Sequence, residues 1–333
     1  MKFGIISFAH MHAYSYARAL GEIAGVALVG VADPDPERGP AAAQQFGATY
    51  YRDYQELLAQ DIDAVIICSA NADHKEHAIA AAQAGKHVLC EKPISVSVPD
   101  ARAMIEAAEK AGVVLQTAFP VRHSNPVRLL KAAIDDGKLG EIIAINATNH
   151  GKMPPGWFLD PAQAGGGAVM DHTVHVADLV RWMLKTEFTR VYAEVDTLLH
   201  DVGIDDCGML TADLASGAFM SLDPSWSRPD SFTTWGDVTM QVIGTKGVAS
   251  LDAFRQAGMV YVATSPNAPG RVFENGWGND ADRELIEAFI AAVKGEPNEG
   301  ASGLDGLKAM ELALAAYESA NRAAPVALPL SVA

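Results

Sequence analysis

The chain has 333 residues, of which 25 are Lys or Arg and 41 Asp or Glu, giving a formal net charge of −16. That balance excludes a nucleic-acid partner, which needs a basic stripe to neutralise phosphates. An apolar share of 49% with 20% charged residues excludes a disordered chain, and the length suits two domains with separate cores. Cys68, Cys90 and Cys207 are an odd number and lie in or beside apolar runs, so they read as small buried hydrophobes. No secretory signal precedes the first strand-like run and no apolar stretch is long enough for a bilayer, so the expectation is a cytoplasmic protein with no membrane partner.

In chain order, short apolar runs at 3–6, 26–32, 64–68, 88–90 and 113–117 alternate with helical patterns at 12–23, 36–46, 54–59, 74–84 and 98–111. Ser97-Val98-Pro99-Asp100 is a start signal for the last helix, and Gly85 and Gly112 are stops. Alternation of this kind predicts βαβ units, hence an α/β fold with an N-terminal Rossmann-type doubly wound parallel sheet over residues 1–120.

The pattern then changes. Helices at 126–136 and 169–184 bracket a strand near 142–149, and strand candidates follow at 190–199, 206–214, 218–224, 238–243, 248–252 and 259–262. Turns such as Ala215-Ser216-Gly217 and Gly244-Thr245-Lys246-Gly247 separate several of them, and helices at 280–294 and 304–323 close the chain. The prediction for residues 121–333 is a C-terminal α+β domain with an open, mainly antiparallel or mixed sheet, serving substrate binding and oligomerisation.

Ligands of a doubly wound sheet bind outside the carboxyl ends of its strands, where a glycine-rich phosphate loop is expected after the first strand. This chain has Ser7-Phe8-Ala9-His10-Met11-His12 there instead. Small residues at Ser7 and Ala9 still admit a pyrophosphate, and the following helix offers unpaired amides, so Ser7, Ala9, His10 and His12 are candidate cofactor contacts. Asp33, at the end of the second strand, is placed to accept hydrogen bonds from ribose hydroxyls and to repel a 2′-phosphate. That predicts NAD in preference to NADP. The plainer alternative makes Asp33-Pro34-Asp35-Pro36 only a turn into a helix.

Two further motifs are Glu91-Lys92-Pro93, directly after the strand at 88–90, and the run from Gly165-Gly166-Gly167 through Asp171, His172 and His175 to Asp178. With the βαβ first half, the strand-rich second half and the ending Pro325-Val326-Ala327-Leu328-Pro329-Leu330, they resemble the family of glucose–fructose oxidoreductase, inositol dehydrogenase and MocA. The resemblance spans nearly the whole chain. It implies an NAD(P)-dependent dehydrogenase moving a hydride to or from a secondary hydroxyl of a sugar, polyol or related molecule. It places Lys92 at both nicotinamide and substrate, completes the catalytic set with Asp171 and His175, and brings Ser69, Asn71, His74, Glu91 and Arg122 to the cofactor. Ala70 stands where such proteins usually carry proline. The resemblance, with an open sheet face needing cover, also implies a homodimer or homotetramer.

Helical spacing agrees: Asp171, His175 and Asp178 fall at i, i+4 and i+7, on one face that also carries apolar neighbours. The triple glycine admits a close approach to the helix start, whose positive end favours the Asp171 carboxylate. The expected chemistry is alcohol oxidation, with His175 or Lys92 equally placed to take the proton, Lys92 stabilising the developing oxyanion and Asp171 tuning its neighbour. Trp157, His172, Lys92 and His175 are candidate substrate contacts; Phe158 joins Trp157 either as pocket wall or as core. Arg122, Lys152 and Arg228 serve either a carboxylate or the surface. His10, His12, His123, His150 and His172 exceed what this chemistry requires. A metal site is not expected, since positions i and i+2 of a helix do not converge. Two alternatives share these residues: an NAD-requiring enzyme that cleaves glycosidic bonds, and a non-catalytic ligand sensor.

Overall fold

The computed structural model describes residues 1–232, 234–254, 257–262, 271–274 and 279–331. In chain order, β1 (Lys2–Ile6), α1 (His12–Glu22), β2 (Ala27–Ala32), α2 (Arg38–Phe46), β3 (Thr49–Tyr51), α3 (Tyr54–Leu58), β4 (Ala64–Ile67), α4 (His74–Gln83), β5 (His87–Glu91), α5 (Val98–Ala111) and β6 (Leu115–Ala118) alternate strand and helix. Next come α6 (Asn125–Asp135), β7 (Ile142–His150), the short α7 (Pro161–Ala164) and α8 (Ala168–Leu184). A run of strands follows: β8 (Phe188–Asp196), β9 (Cys207–Leu214), β10 (Phe219–Ser225), β11 (Thr239–Gly244), β12 (Gly247–Asp252), β13 (Ala257–Val262) and β14 (Arg271–Glu274). Last are α9 (Ala281–Val293), β15 (Ala301–Ser302), α10 (Gly303–Arg322) and β16 (Val326–Ala327).

These elements form two compact units. One takes Met1–Pro120, Ala162–Gly165 and Ala281–Leu307; the other takes Val121–Pro161, Gly166–Asp280 and Lys308–Ala333.

The first unit is the expected doubly wound sheet, in the order β15-β6-β5-β4-β1-β2-β3, with β1 to β6 parallel and β15 antiparallel at one edge. β4 is Ala-Val-Ile-Ile and wholly buried, as a strand covered on both faces must be. The strand order reverses between β1 and β4, which fixes the ligand crevice at their carboxyl ends. Local signals hold the helices in place: Ser97 Oγ accepts the Asp100 N–H at 3.2 Å to start α5, and Gly112 ends it in the left-handed conformation. β3, only three residues long, shows no period that a sequence reading can detect.

The core of this unit joins Phe3, Ile5, Tyr16, Leu20, Ile66 and Leu89 to Leu285, Ile286 and Phe289 of α9. The rings of Phe3 and Phe289 meet edge to face with centroids 6.1 Å apart. No local pattern announces this late return to the first unit.

The second unit is built on a nine-stranded mixed sheet, ordered β14-β13-β12-β11-β7-β10-β9-β8-β16. β7 and β10 run parallel and the other pairs antiparallel, in line with the open mixed sheet expected. α8 packs across β7, β9 and β10, and Val169, Val176 and Val180 of the helix and Ala147, Leu210 and Leu222 of the strands are buried. Tyr192, Met209 and Phe219 of β8, β9 and β10 are exposed. Among the described residues no helix is long and apolar enough to cross a membrane.

Because Phe289 is fully buried against Phe3, Phe289→Ala should cost about 3–5 kcal/mol of unfolding free energy, measured by urea denaturation. A loss below about 1 kcal/mol would contradict the placement of α9 in this core.

Candidate active site

In the first unit, Ser7 takes the place of a glycine. Its φ is +67°, the left-handed conformation that a glycine loop uses to turn from β1 into α1. Its hydroxyl stabilises the turn, accepting the Ala9 N–H at 3.1 Å and donating to Asp33 Oδ2 at 3.4 Å. A serine in this conformation gives no sequence signal, which is why the loop reads as degraded. α1 then begins without a side-chain capping bond from Met11 and with no acidic residue in its first turn. The expected unpaired amides are not found, since the His12 N–H donates to His10 Nδ1 at 3.2 Å and those of Ala13 and Tyr14 to the His10 and Met11 carbonyls; what the helix start offers an anionic ligand is its dipole.

Asp33 sits at the carboxyl end of β2 as expected, but its carboxylate is fully buried and heavily engaged. Oδ2 accepts the Phe8 N–H at 2.7 Å and Arg38 Nε at 2.9 Å; Oδ1 accepts the Asp35 N–H at 2.9 Å and Arg38 Nη2 at 2.8 Å. Arg38, which the sequence reading did not single out, thus forms a bidentate pair with Asp33. It lies five residues downstream, at the first position of α2.

Glu91, the last residue of β5, is also fully buried. Its Oε1 accepts the Tyr16 hydroxyl and His12 Nδ1, the latter at 3.0 Å, and its Oε2 accepts the Lys92 N–H at 3.0 Å. His10 Nε2 stands 3.9 Å from Oε2. Burial alone raises a carboxyl pKa, but the imidazoles of His10 and His12 outweigh it and hold Glu91 well below the usual range. The His12 pKa is raised, the charge and hydrogen bond of Glu91 outweighing the opposing effect of burial. The expectation that His10 and His12 do not converge fails, because His10 precedes α1; the two rings and Glu91 bring one donor atom each within 4.8 Å of one another. The His12 N–H donates to His10 Nδ1 at 3.2 Å, which leaves the proton of a neutral His10 on Nε2, facing Glu91.

Lys92 follows, nearly buried, and the Lys92–Pro93 peptide is cis. His74 ties this turn to the end of β4: Nδ1 bonds the Pro93 carbonyl at 2.9 Å, and Nε2 lies 3.3 Å from that of Ser69. Burial pushes its pKa down. Ser69 Oγ meets His77 Nδ1 at 3.0 Å, and Asn71 donates to the Ala164 carbonyl at 2.8 Å. All three side chains are buried fasteners of the loops that carry the crevice.

In the second unit, every residue of α8 from 168 to 181 is buried except His175, which is half-buried. The Asp171 carboxylate accepts Trp226 Nε1 at 3.2 Å and lies 3.3 Å from His172 Nε2, so Trp226 is a partner the sequence reading missed. A Cβ on Gly151 would stand 2.7 Å from His172 Cε1, so glycine lets the end of β7 approach that ring. Arg122, the proposed cofactor contact, is buried with both hydrogen bonds to Asp178 at 2.6 Å.

The triple glycine admits the protein itself. A Cβ on Gly166 would strike the Tyr317 hydroxyl, and one on Gly167 the Asp205 carbonyl. Asp205 then caps the helix, accepting the N–H groups of Gly167 at 2.8 Å and Val169 at 2.9 Å. The positive end of α8 is therefore answered by Asp205, a residue without a sequence signal. Trp157 and Phe158 stack at 3.9 Å, Phe158 buried and Trp157 half-buried. Burial, with the charges of Arg128 and Arg122, holds the His123 pKa at about 3, so that ring is neutral.

His150, at the end of β7, lies 3.0 Å from Asp223 and 3.4 Å from Asp237, and Arg228 pairs with the same Asp237. Burial opposes its charge, but the two carboxylates raise its pKa to about 9.

A turn that holds Ser7 at positive φ in front of the positive end of α1, at the point where strand order reverses, suits a dinucleotide pyrophosphate. The comparisons agree. Residues 1–119 match the model of the oxidoreductase family with NAD-binding Rossmann fold, and residues 127–250 match the GFO/IDH/MocA C-terminal domain. The chain belongs to the GFO/IDH/MocA family and is an NAD(P)-dependent oxidoreductase acting on a CH–OH group. It is 31% identical to 1,5-anhydro-D-fructose reductase of Ensifer adhaerens, over 89% of each chain. It is 30% identical to myo-inositol 2-dehydrogenase of Thermotoga maritima, over 96% of each. A solved levoglucosan dehydrogenase in complex with NADH and levoglucosan superposes with a TM-score of 0.88 at 26% identity, covering 99% of this chain and 100% of that one.

The His150 cluster makes a stability prediction. Its folded pKa lies above the unfolded value, so its contribution is fully present below about pH 6.5 and is lost as pH rises through about 9. Unfolding free energy should fall by up to about 3 kcal/mol over that window. His150→Gln should flatten that fall, and an equal slope in the variant would contradict the ion pairing.

Proposed function

We propose that the enzyme prefers NAD and oxidises a secondary hydroxyl of a neutral ring sugar or polyol, or reduces the matching ketone. The observation that carries this reading is the polar stripe of α8: a helix otherwise buried from 168 to 181 leaves only His175 accessible, with Asp171 and His172 close by in sequence and already partnered. An imidazole in that position is suited to exchanging a proton with a substrate hydroxyl.

NAD, when bound, supplies the acceptor for the hydride that leaves the carbinol carbon. His175 takes the hydroxyl proton as that bond breaks. Lys92, set by the turn after β5, donates to the same oxygen and stabilises its developing negative charge. Asp171, held by Trp226, carries the negative charge on α8 that favours a protonated imidazole nearby. Mutating Lys92 to Met should lower turnover by about 10²–10⁴-fold while calorimetry shows unchanged NAD affinity. Unchanged turnover would overturn this role.

The neutral-substrate reading rests on charge. The Arg122 guanidinium is spent on Asp178 and that of Arg228 on Asp237, with His150 set between two aspartates. A substrate carboxylate would compete with these carboxylates for each cation. The names of these three relatives are in keeping with it: an anhydrofructose, an inositol and levoglucosan. NADH formation across a panel of neutral cyclic polyols, anhydrosugars and sugar acids tests it. Turnover confined to sugar acids would contradict it.

The cofactor preference rests on Asp33. By engaging Arg38 through two hydrogen bonds, it withholds the guanidinium that a 2′-phosphate would need. Asp33→Ser should free Arg38 and shift the ratio of kcat/KM for NADP over NAD upward by at least about tenfold, about 1.4 kcal/mol. An unmoved ratio would remove Asp33 and Arg38 from cofactor selection. The exposed Tyr192, Met209 and Phe219 support assembly of copies through the outer face of the second sheet, giving a homodimer or homotetramer in light scattering.

A further inference from the structure

Glu91 does more than close the turn before Lys92. It is an ionised, fully buried carboxylate whose strongest side-chain partners come from the opening of α1: His12 Nδ1 at 3.0 Å and the Tyr16 hydroxyl. With Nδ1 turned to the carboxylate, the opposite edge of the His12 ring presents Nε2, and a third of this side chain is exposed, against none of Glu91. His12 is also the first residue of α1, the position at which the helix presents its positive end. The loop before it holds no glycine, so fewer bare amides reach a ligand there.

We propose that Glu91 holds His12 as an imidazolium at the mouth of this loop, where it binds the dinucleotide pyrophosphate and makes cofactor affinity depend on a single proton. This inference rests on the cofactor reading above and adds to it the charge state of His12 and a pH dependence. The buried acid secures the charge and the ring orientation through Nδ1, and Nε2 offers an N⁺–H to the phosphates.

The other ionisable groups around His12 are consistent with this. Glu91 at the end of β5 and Asp282 at the start of α9 both favour the cation, and Lys92 opposes it. Tyr16, one turn along α1, and Cys68, at the end of β4, have their pKa values raised by burial and by Glu91, so both stay neutral in the working range. His10 shares the carboxylate through Nε2. Together these leave His12 with a raised pKa, so the imidazolium persists to a higher pH than in a free histidine. Affinity for the anionic cofactor is then greatest at low pH and declines as pH rises through the His12 pKa.

The test has two readouts. In the ligand-free protein, the NMR titration of the His12 ring should give a pKa above the ordinary 6.5, and Glu91→Gln should lower it. By calorimetry, the Kd for NAD should weaken up to tenfold per pH unit above that midpoint, and His12→Asn should bind more weakly with a flat profile. A low His12 pKa, or a pH dependence that survives in His12→Asn, overturns the inference. NAD binding that is tight but flat with pH in the unmodified enzyme overturns it while leaving the cofactor reading intact. Absence of NAD binding at every pH overturns both.

Discussion

The crevice of the first unit depends on one buried carboxylate. An isolated charge in the place of Glu91 would cost several kcal/mol, so the chain must supply donors, and each donor fixes a different segment. The Tyr16 hydroxyl and His12 Nδ1 fix the first two turns of α1, and the Lys92 N–H fixes the turn that carries Lys92. The acid of the Glu91-Lys92-Pro93 motif is therefore internal support for both the cofactor loop and the lysine. Asp33 has a parallel role on the other side of β1, fastening Phe8 of the same loop and drawing in Arg38.

The second unit uses buried polar groups in the same way. Asp205 caps α8 and also receives the Tyr317 hydroxyl, which in turn accepts the Met170 N–H. Trp226 holds Asp171, and the Arg122–Asp178 pair anchors the next turn of the helix. Breaking either partner of such a buried pair is far costlier than its presence is stabilising, so these contacts specify one position for the helix. His175 inherits that position and is left accessible.

Much of this was legible in the sequence, for physical reasons. Short apolar runs alternating with helical patterns mark β1, β2, β4, β5 and β6 and their helices, and the change after residue 120 marks the mixed sheet. The Glu91-Lys92-Pro93 turn and the Asp171, His172, His175 run are local motifs, and the family they imply is the family found. What the sequence hid was of two kinds. Asp205 at the start of α8, Trp226 on Asp171 and Phe289 against Phe3 are partners separated by distances that no periodicity encodes, while Ser7 at positive φ and Arg38 on Asp33 are local but carry no residue-type signal. His10 and His12 converge because the i, i+2 geometry of a helix does not apply to them: α1 begins at His12, as its sequence pattern indicates, and His10 belongs to the preceding turn.

The central claim is hydride transfer between a carbinol carbon and a nicotinamide, and isotope transfer tests it most directly. The enzyme is given NAD and a neutral ring polyol carrying deuterium on its ring carbons, and the reduced cofactor is weighed by mass spectrometry. The account predicts one deuterium on the NADH recovered, with the polyol converted to its ketone. Conversion of the polyol with no deuterium in the recovered NADH would contradict it, because the hydride would not have come from the carbinol carbon.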